Sequence, residues 1–271
     1  MNKNNIMNRK KYLKNVKRIV VKVGTNVLTK KNGDVNSKWV NNFAIQICSL
    51  MKKNIEIIIV SSGSIGAGCY LLGMNKRPDN LIAKQATAAV GQTRLMRAYK
   101  DAFRRENVPV AQILLTYDDL DSRRRSKNAT NTINALLNMK VVPVINENDT
   151  VAVEEIKFGE NDYLSALVSE FINADLLILL TDVNGVFDNP PNSQLDTQIV
   201  SSVCRKNWAK LELGISNSIS KKGSGGMITK VQAARSAVNH GGIAVIANGK
   251  TEDILLKVIS GEETGTLFVE E

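Results

Sequence analysis

The strongest constraint on the fold is a set of short, uniformly apolar runs, each bounded by segments with helical spacing. Residues 19–23, 55–60, 110–115, 141–145, 176–180 and 243–247 read as strands. Between them apolar residues recur at intervals of three and four, as in Val40, Phe43, Ala44, Ile47, Leu50 and Met51 behind an N-cap at Ser37. Strands that are apolar on both faces and separated by helices indicate a mostly parallel sheet covered on both sides. Further helices are expected after Ser64, near 83–106, 126–138, 162–173 and 228–239, and from Thr251. A half-exposed ribbon is expected over 151–157, loops around Pro190-Pro191 and over 214–226, a short strand near 199–203 and a last one at 266–269.

Open sheets of this kind bind ligands beyond the carboxyl ends of their strands. The residues found there share a character: Gly24 and Thr25, then Ser61, Ser62 and Gly63, then Asn146, Glu147, Asn148 and Asp149, then Thr181 and Asp182. The stretch 143–166 stands out, because a second polar cluster, Glu160, Asn161 and Asp162, opens a helix soon after the first. Such clusters after apolar runs suggest a site, although each is also what a solvated turn and a helix N-cap look like.

Two turns are suited to anions. In Ser61-Ser62-Gly63-Ser64 glycine allows close backbone approach, and the following helix offers unpaired N–H groups. Gly223-Ser224-Gly225-Gly226 opens a helix carrying Thr229 and Lys230 in the same way. Either turn alone is equally an ordinary cap; two together, with lysines near, favour phosphate. Lys22 interrupts an apolar strand, so it either snorkels from a sheet edge or meets an anion at the strand end. With Lys230 it would place two cations on a transferring phosphoryl group. The P-loop, dinucleotide and protein-kinase signatures are absent.

Composition narrows the alternatives. A chain of 271 residues with 43% hydrophobic and 23% charged residues is that of a globular protein. Its apolar runs fall far short of the roughly 20 residues of a membrane span, so no membrane partner is expected. Net charge is +10, but residues 1–18 carry seven basic side chains and no acid, which leaves a body near +3. That segment has neither a secretory nor a transit pattern and is expected to be a disordered basic arm; nucleic acid is the lesser reading of its charge. Cys48, Cys69 and Cys204 are far apart and form no disulfide or zinc pattern, which points to a reducing, cytoplasmic setting. His240 stands alone before Gly241-Gly242, a cation-capable residue for a helix C-terminus. Arg123-Arg124-Arg125 reads as a solvated helix start in preference to a contact with a subunit or an acidic partner.

Six segments, taken in order, carry a family resemblance: 21–29 (VKVGTNVLT), 60–68 (VSSGSIGAG), 143–152 (PVINENDTVA), 158–166 (FGENDYLSA), 179–187 (LLTDVNGVF) and 223–230 (GSGGMITK). The set resembles the amino acid kinase family, and closely those members that phosphorylate the γ-carboxylate of L-glutamate with ATP, the first step toward proline. The resemblance implies an α/β fold, a three-layer αβα sandwich around a mostly parallel open sheet. It implies one domain over 19–271 with two lobes, an acceptor lobe to about 175 and an ATP lobe beyond. Lys22 and Lys230 match the family's phosphoryl-contacting lysines and Asp162 the aspartate that holds them. Ser62, Gly63, Ser64, Asp149 and Asn161 match the acceptor site, where Asp149 and Asn161 suit the substrate ammonium. Thr181, Asp182, Ser224, Gly225, Gly226, Met227, Ile228, Thr229 and Lys230, with Lys22, match the nucleotide site. Mg²⁺ is expected through the ATP phosphates, with no protein metal site. Homo-oligomerisation and feedback by proline, which vary with architecture in the family, are expectations of the same kind.

Ser61, Ser64 and Glu160 depart from the family's commoner threonine, smaller residue and aspartate. A C-terminal RNA-binding-like domain, carried by many bacterial members, is not expected after residues 265–268. The remaining alternatives are a sister kinase acting on another carboxylate or on carbamate, and a non-catalytic protein that uses the basic arm on nucleic acid.

Overall fold

Runs that offer no polar face must be covered twice, and these strands are. In the computed structural model, which describes residues 8–152, 160–188, 197–208, 211 and 226–271, the chain begins with helix α1 (Arg9–Leu13), strand β1 (Arg18–Val23), α2 (Thr25–Leu28) and α3 (Ser37–Met51). Then come β2 (Glu56–Ser61), α4 (Ser64–Leu71), α5 (Leu81–Arg104), β3 (Val110–Leu115), α6 (Tyr117–Asp121), α7 (Arg123–Asn138) and β4 (Val142–Glu147). The order continues with α8 (Glu160–Phe171), β5 (Leu176–Thr181), β6 (Ser202–Cys204), α9 (Met227–Asn239), β7 (Ile243–Asn248), α10 (Ile254–Ser260) and β8 (Thr266–Val269).

The eight strands form one sheet in the order β3-β4-β2-β1-β5-β7-β8-β6. Neighbours from β3 to β7 are parallel, while β8 runs antiparallel to β7 and parallel to β6. Helices α3, α5 and α10 cover one face through Phe43, Leu95, Tyr99, Phe103 and Leu255. Helices α7, α8 and α9 cover the other through Ile133, Leu164, Val168, Val231 and Val238. The expected three-layer αβα architecture is therefore the one found.

Strand alternation decides which layer each side chain meets. In β1, Ile19, Val21 and Val23 enter the α3/α5 core, whereas Val20 enters the α8/α9 core. Lys22 shares the parity of Val20 and so lies beneath α8 and α9. Because β1 sits between β2 and β5, snorkelling from a sheet edge is not available to it.

Several expectations need correction. The basic arm is not disordered through residue 18: α1 forms, and Arg9 is buried, donating to the carbonyls of Ser201, Glu262, Thr264 and Gly265. A guanidinium with five donors can satisfy several carbonyls at once, and composition alone does not reveal that use. Residues 1–7 lie outside the described residues, as do 153–157 of the expected ribbon, Pro190-Pro191 and 214–225. The N-cap of α3 is Asn36, whose side chain accepts from the Trp39 N–H at 3.3 Å, in place of Ser37. The strand near 199–203 begins at Ser202, and Ile199 makes only an isolated bridge with Phe187.

His240 does sit at the C-terminus of α9, with Nδ1 2.8 Å from the Ser236 carbonyl and Nε2 3.2 Å from Glu170. Arg125 folds back onto the Asp118 carbonyl and the Asp119 carboxylate within the α6–α7 turn. Among the described residues no helix is long and apolar enough to cross a membrane.

Candidate active site

Four parallel strands, β1, β2, β4 and β5, end at the same edge, and a cavity of about 300 Å³ opens there. It is lined by Lys22, Ser62, Gly63, Ser64, Asp149, Asn161, Asp162, Thr181, Asp182 and Lys230, all singled out in the sequence. Thr25, Asn26, Val27, Ile65, Gly66 and Arg77 complete the wall with Gly24.

At its floor lies a buried trio of charges. Lys22 Nζ is 2.6 Å from one oxygen of Asp162, and Lys230 Nζ is 3.2 Å from the other. The Thr229 hydroxyl lies 2.8 Å from the second oxygen and 2.8 Å from the Gly226 carbonyl, and its single proton goes to one or the other. Thus one carboxylate at the start of α8 gathers a lysine from the central strand and another from the first turn of α9. Burial alone would raise the Asp162 pKa, but the two ammonium groups outweigh it and hold the carboxyl below the usual range. Burial lowers the Lys22 pKa, Asp162 opposes that, and repulsion from Lys230 adds to it, with a net fall. Two cations facing one anion leave positive charge directed into the cavity, where a phosphate can use it.

The loop over residues 61–64 is positioned from behind. Gly63 has a φ of 104°, in the left-handed region that favours glycine, and it turns the chain from β2 into α4. Helix α5 packs so close to α4 that a Cβ on Gly91 would lie 1.8 Å from the Ser64 carbonyl oxygen. Ser61 points to the opposite layer and shares a hydrogen bond of 3.0 Å with the fully buried Tyr99 hydroxyl. Ser64 donates to Asp149 at 3.0 Å, so the departure from a smaller residue adds a direct link between this loop and the β4 turn. Burial raises the Asp149 pKa, while Ser64 and the positive charge of Arg77 partly offset the rise.

Asn161 joins these parts. Its amide nitrogen, with two hydrogens to share, lies 3.0–3.2 Å from three acceptors, the Ser61 carbonyl, Ser62 Oγ and Asn146 Oδ1. Asn146 in turn donates to Gln92 Oε1 on α5 at 2.9 Å. Asn161 Oδ1 is buried without a hydrogen-bond partner among the described residues, an acceptor at the cavity wall. Side-chain amide orientation follows from this network, since three acceptors meet the nitrogen.

Across the cavity Asp182 accepts from Asn26 at 3.0 Å and from Thr181 at 3.3 Å. Gly226, Met227 and Ile228 lead into α9 without lining the cavity, and Ser224 and Gly225 lie outside the described residues. Sequence reasoning missed Asn26, Arg77 and Gln92, and it marked Asn146 only as part of a polar cluster. Asn26 follows a strand end and was open to the same inspection as Thr25. Arg77 and Gln92 come from a loop and a helix interior, where no local pattern marks them.

The chain is similar to known proteins over most of its length. Residues 17–247 match the amino acid kinase family. The glutamate 5-kinase of Citrifermentans bemidjiense is 47% identical over 261 residues, 96% of this chain and 70% of that one. That of Clostridium acetobutylicum is 43% identical over 261 residues, covering 96% and 97%. Among solved structures, the carbamate kinase of Giardia lamblia bound to AMP-PNP superposes with a TM-score of 0.65 at 16% identity, covering 95% of this chain and 99% of that one. The UMP kinase of Bacillus anthracis gives 0.62 at 16% identity, covering 94% and 97%. These two are similar in fold. Motifs, fold and relatives that match most of this chain together place it in the amino acid kinase family, within its glutamate 5-kinase branch.

Proposed function

We propose that the protein transfers the γ-phosphoryl group of ATP to the γ-carboxylate of L-glutamate, giving L-glutamyl 5-phosphate and ADP. The observation that carries this reading is the Asp162 carboxylate between Lys22 and Lys230, one residue from the amino-acid-facing Asn161. A carboxylate is ionised at neutral pH, so its oxygen attacks phosphorus without a general base. The new bond joins that oxygen to the γ-phosphorus as the bond to the β-phosphate bridging oxygen breaks, and ADP leaves with the displaced charge. Lys22 and Lys230 hold the two anions together and stabilise the charge on the transferring group.

Acceptor residues from Ser62 to Asn161 precede residue 175, and Thr181, Asp182 and Lys230 follow it, which supports an acceptor lobe over about 19–175 and an ATP lobe over about 176–271. Asp149 and the free Asn161 oxygen suit the substrate ammonium by charge and by hydrogen bonding. Thr181, Asp182 and the segment 224–230 serve the nucleotide. Mg²⁺ would be carried by the ATP phosphates, since the Asp162 carboxylate is engaged by two lysines. Bound there, it neutralises phosphate oxygens. Exposed Tyr70, Leu71, Leu72 and Ile82 around the α4–α5 turn support a homo-oligomer. Proline would compete at the amino-acid end, since it keeps that end of the molecule and lacks a side-chain carboxylate. A cytoplasmic location belongs to the same reading.

A hydroxylamine trap for acyl phosphate, run with ATP, Mg²⁺ and glutamate, aspartate or N-acetylglutamate, tests the assignment. Hydroxamate should form from glutamate in clear preference to both analogues. None from glutamate would refute it, and equal amounts from N-acetylglutamate would favour a sister kinase that does not read the ammonium group.

A further inference from the structure

The acceptor half of the cavity contains one cation that the phosphoryl chemistry does not use. Arg77 lies in the loop between α4 and α5 and lines the cavity together with Ser62, Gly63, Asp149 and Asn161. It makes no hydrogen bond or ion pair among the described residues. Its backbone is held nonetheless: Pro78 follows and restricts Arg77 to extended conformations. At one end of the loop the Met74 N–H donates to the Cys69 carbonyl at 2.9 Å; at the other the Asn80 side chain caps α5 at the Ala83 N–H at 2.8 Å. The guanidinium is therefore presented from a loop fixed at both ends. It also borders a wider, open cavity lined by Lys30, Lys38 and Lys250, which gives it a route to solvent when the site is empty.

Charge placement separates Arg77 from the other cations. Lys22 and Lys230 act on Asp162, whereas Arg77 acts on Asp149. The acceptor half thus offers a cation-seeking pair, Asp149 and the unpartnered Asn161 oxygen, beside an anion-seeking group, Arg77, which the first-turn N–H groups of α4 reinforce. Opposite charges required side by side describe the ammonium and carboxylate on one α-carbon.

We propose that Arg77 binds the α-carboxylate of the acceptor amino acid, so that the enzyme selects a zwitterionic head group and not merely a side-chain carboxylate. This inference rests on glutamate being the acceptor. The guanidinium fork suits a carboxylate by two parallel hydrogen bonds, which a lysine cannot reproduce.

The test crosses two variants with two fragments of glutamate. 4-Aminobutyrate keeps the ammonium and the reacting carboxylate but lacks the α-carboxylate; glutarate keeps both carboxylates but lacks the ammonium. For Arg77→Ala, KM for glutamate should rise about 10- to 100-fold, as for losing a charged hydrogen-bonding partner. The inhibition constant of glutarate should weaken in parallel, and that of 4-aminobutyrate should stay as in the wild type. For Asp149→Ala the two fragments should exchange behaviour. Arg77→Lys should recover part of the loss, and unchanged thermal unfolding of both Arg77 variants would separate binding from folding. Equal weakening of both fragments, or an unchanged glutamate KM in Arg77→Ala, would overturn the role of Arg77 and leave the kinase assignment standing. Absence of glutamate turnover by the wild type would overturn both.

Discussion

Replacing Asp162 by asparagine removes one charge and almost no volume, which makes it the sharpest test of the site. In the wild type the Asp162 side chain is 0% exposed, and its two lysine partners are 7% and 9% exposed at 2.6 and 3.2 Å. Unit charges about 4 Å apart interact by about 4 kcal/mol at an effective dielectric of about 20. Removing one member of a buried pair costs about 3–5 kcal/mol, because the remaining charge loses its compensation. For a chain of this size that corresponds to a fall in Tm of about 10 °C. Turnover should fall by about 10²–10³, as for the loss of a preorganised transition-state contact, since neither lysine would be held in place. The sign of the pH effects follows from the same geometry. In the wild type the lowered Asp162 pKa contributes stability that is complete above the unfolded value near 3.8 and is lost as pH falls through the lower folded value. Asp162→Asn should lack that acid-side loss. Lys22, left with burial and repulsion from Lys230 and without Asp162 to oppose them, should titrate lower still, so the residual rate should decline as pH rises through a range where the wild type is flat. Thermal unfolding and initial-rate profiles from pH 5 to 10 measure both. A Tm within about 2 °C of wild type together with turnover within about threefold would refute the argument that Asp162 holds the lysines.

Asp149→Ala should raise the glutamate KM at least about tenfold with kcat little changed. In the wild type kcat/KM should fall as pH drops through an Asp149 pKa above the ordinary carboxylate value, because protonation removes the partner of the ammonium group; a profile flat down to pH 4 would contradict this. Gly91→Ala should cost about 3 kcal/mol or more, because the new methyl meets the Ser64 carbonyl at 1.8 Å, and unfolding in urea should show it. An unchanged midpoint would mean that α4 and α5 can separate freely. Arg9→Ala should destabilise by about 3 kcal/mol through four abandoned carbonyl contacts while leaving the glutamate KM unaltered. A change in KM with no change in Tm would be the opposite of the expected result.

The sheet and its layers were legible because each buried strand has no polar face to reconcile with solvent. The site was legible where polar residues follow such strands, as with Ser62, Asp149 and Thr181. Lys22 was legible only as a choice between an edge and an anion, since the strand order that removes the edge depends on pairing across more than 150 residues. Arg9, Arg77 and Gln92 escaped notice for a related reason. Each acts on groups far away in sequence, and neither periodicity nor a cap distinguishes it from an ordinary solvated side chain. Composition even pointed the wrong way for Arg9, because it lies among basic neighbours that suggest a loose arm.

The docking of α1 has a consequence for how the chain is made. Arg9 leaves the ribosome more than 250 residues ahead of its partners at Glu262, Thr264 and Gly265, and the Tyr12 hydroxyl meets the carbonyl of Glu271. Helix α1 must therefore wait, undocked, until the chain through residue 265 has been made. Its docking is a long-range step, and a nascent chain halted before residue 262 would leave that seam open to proteases and chaperones.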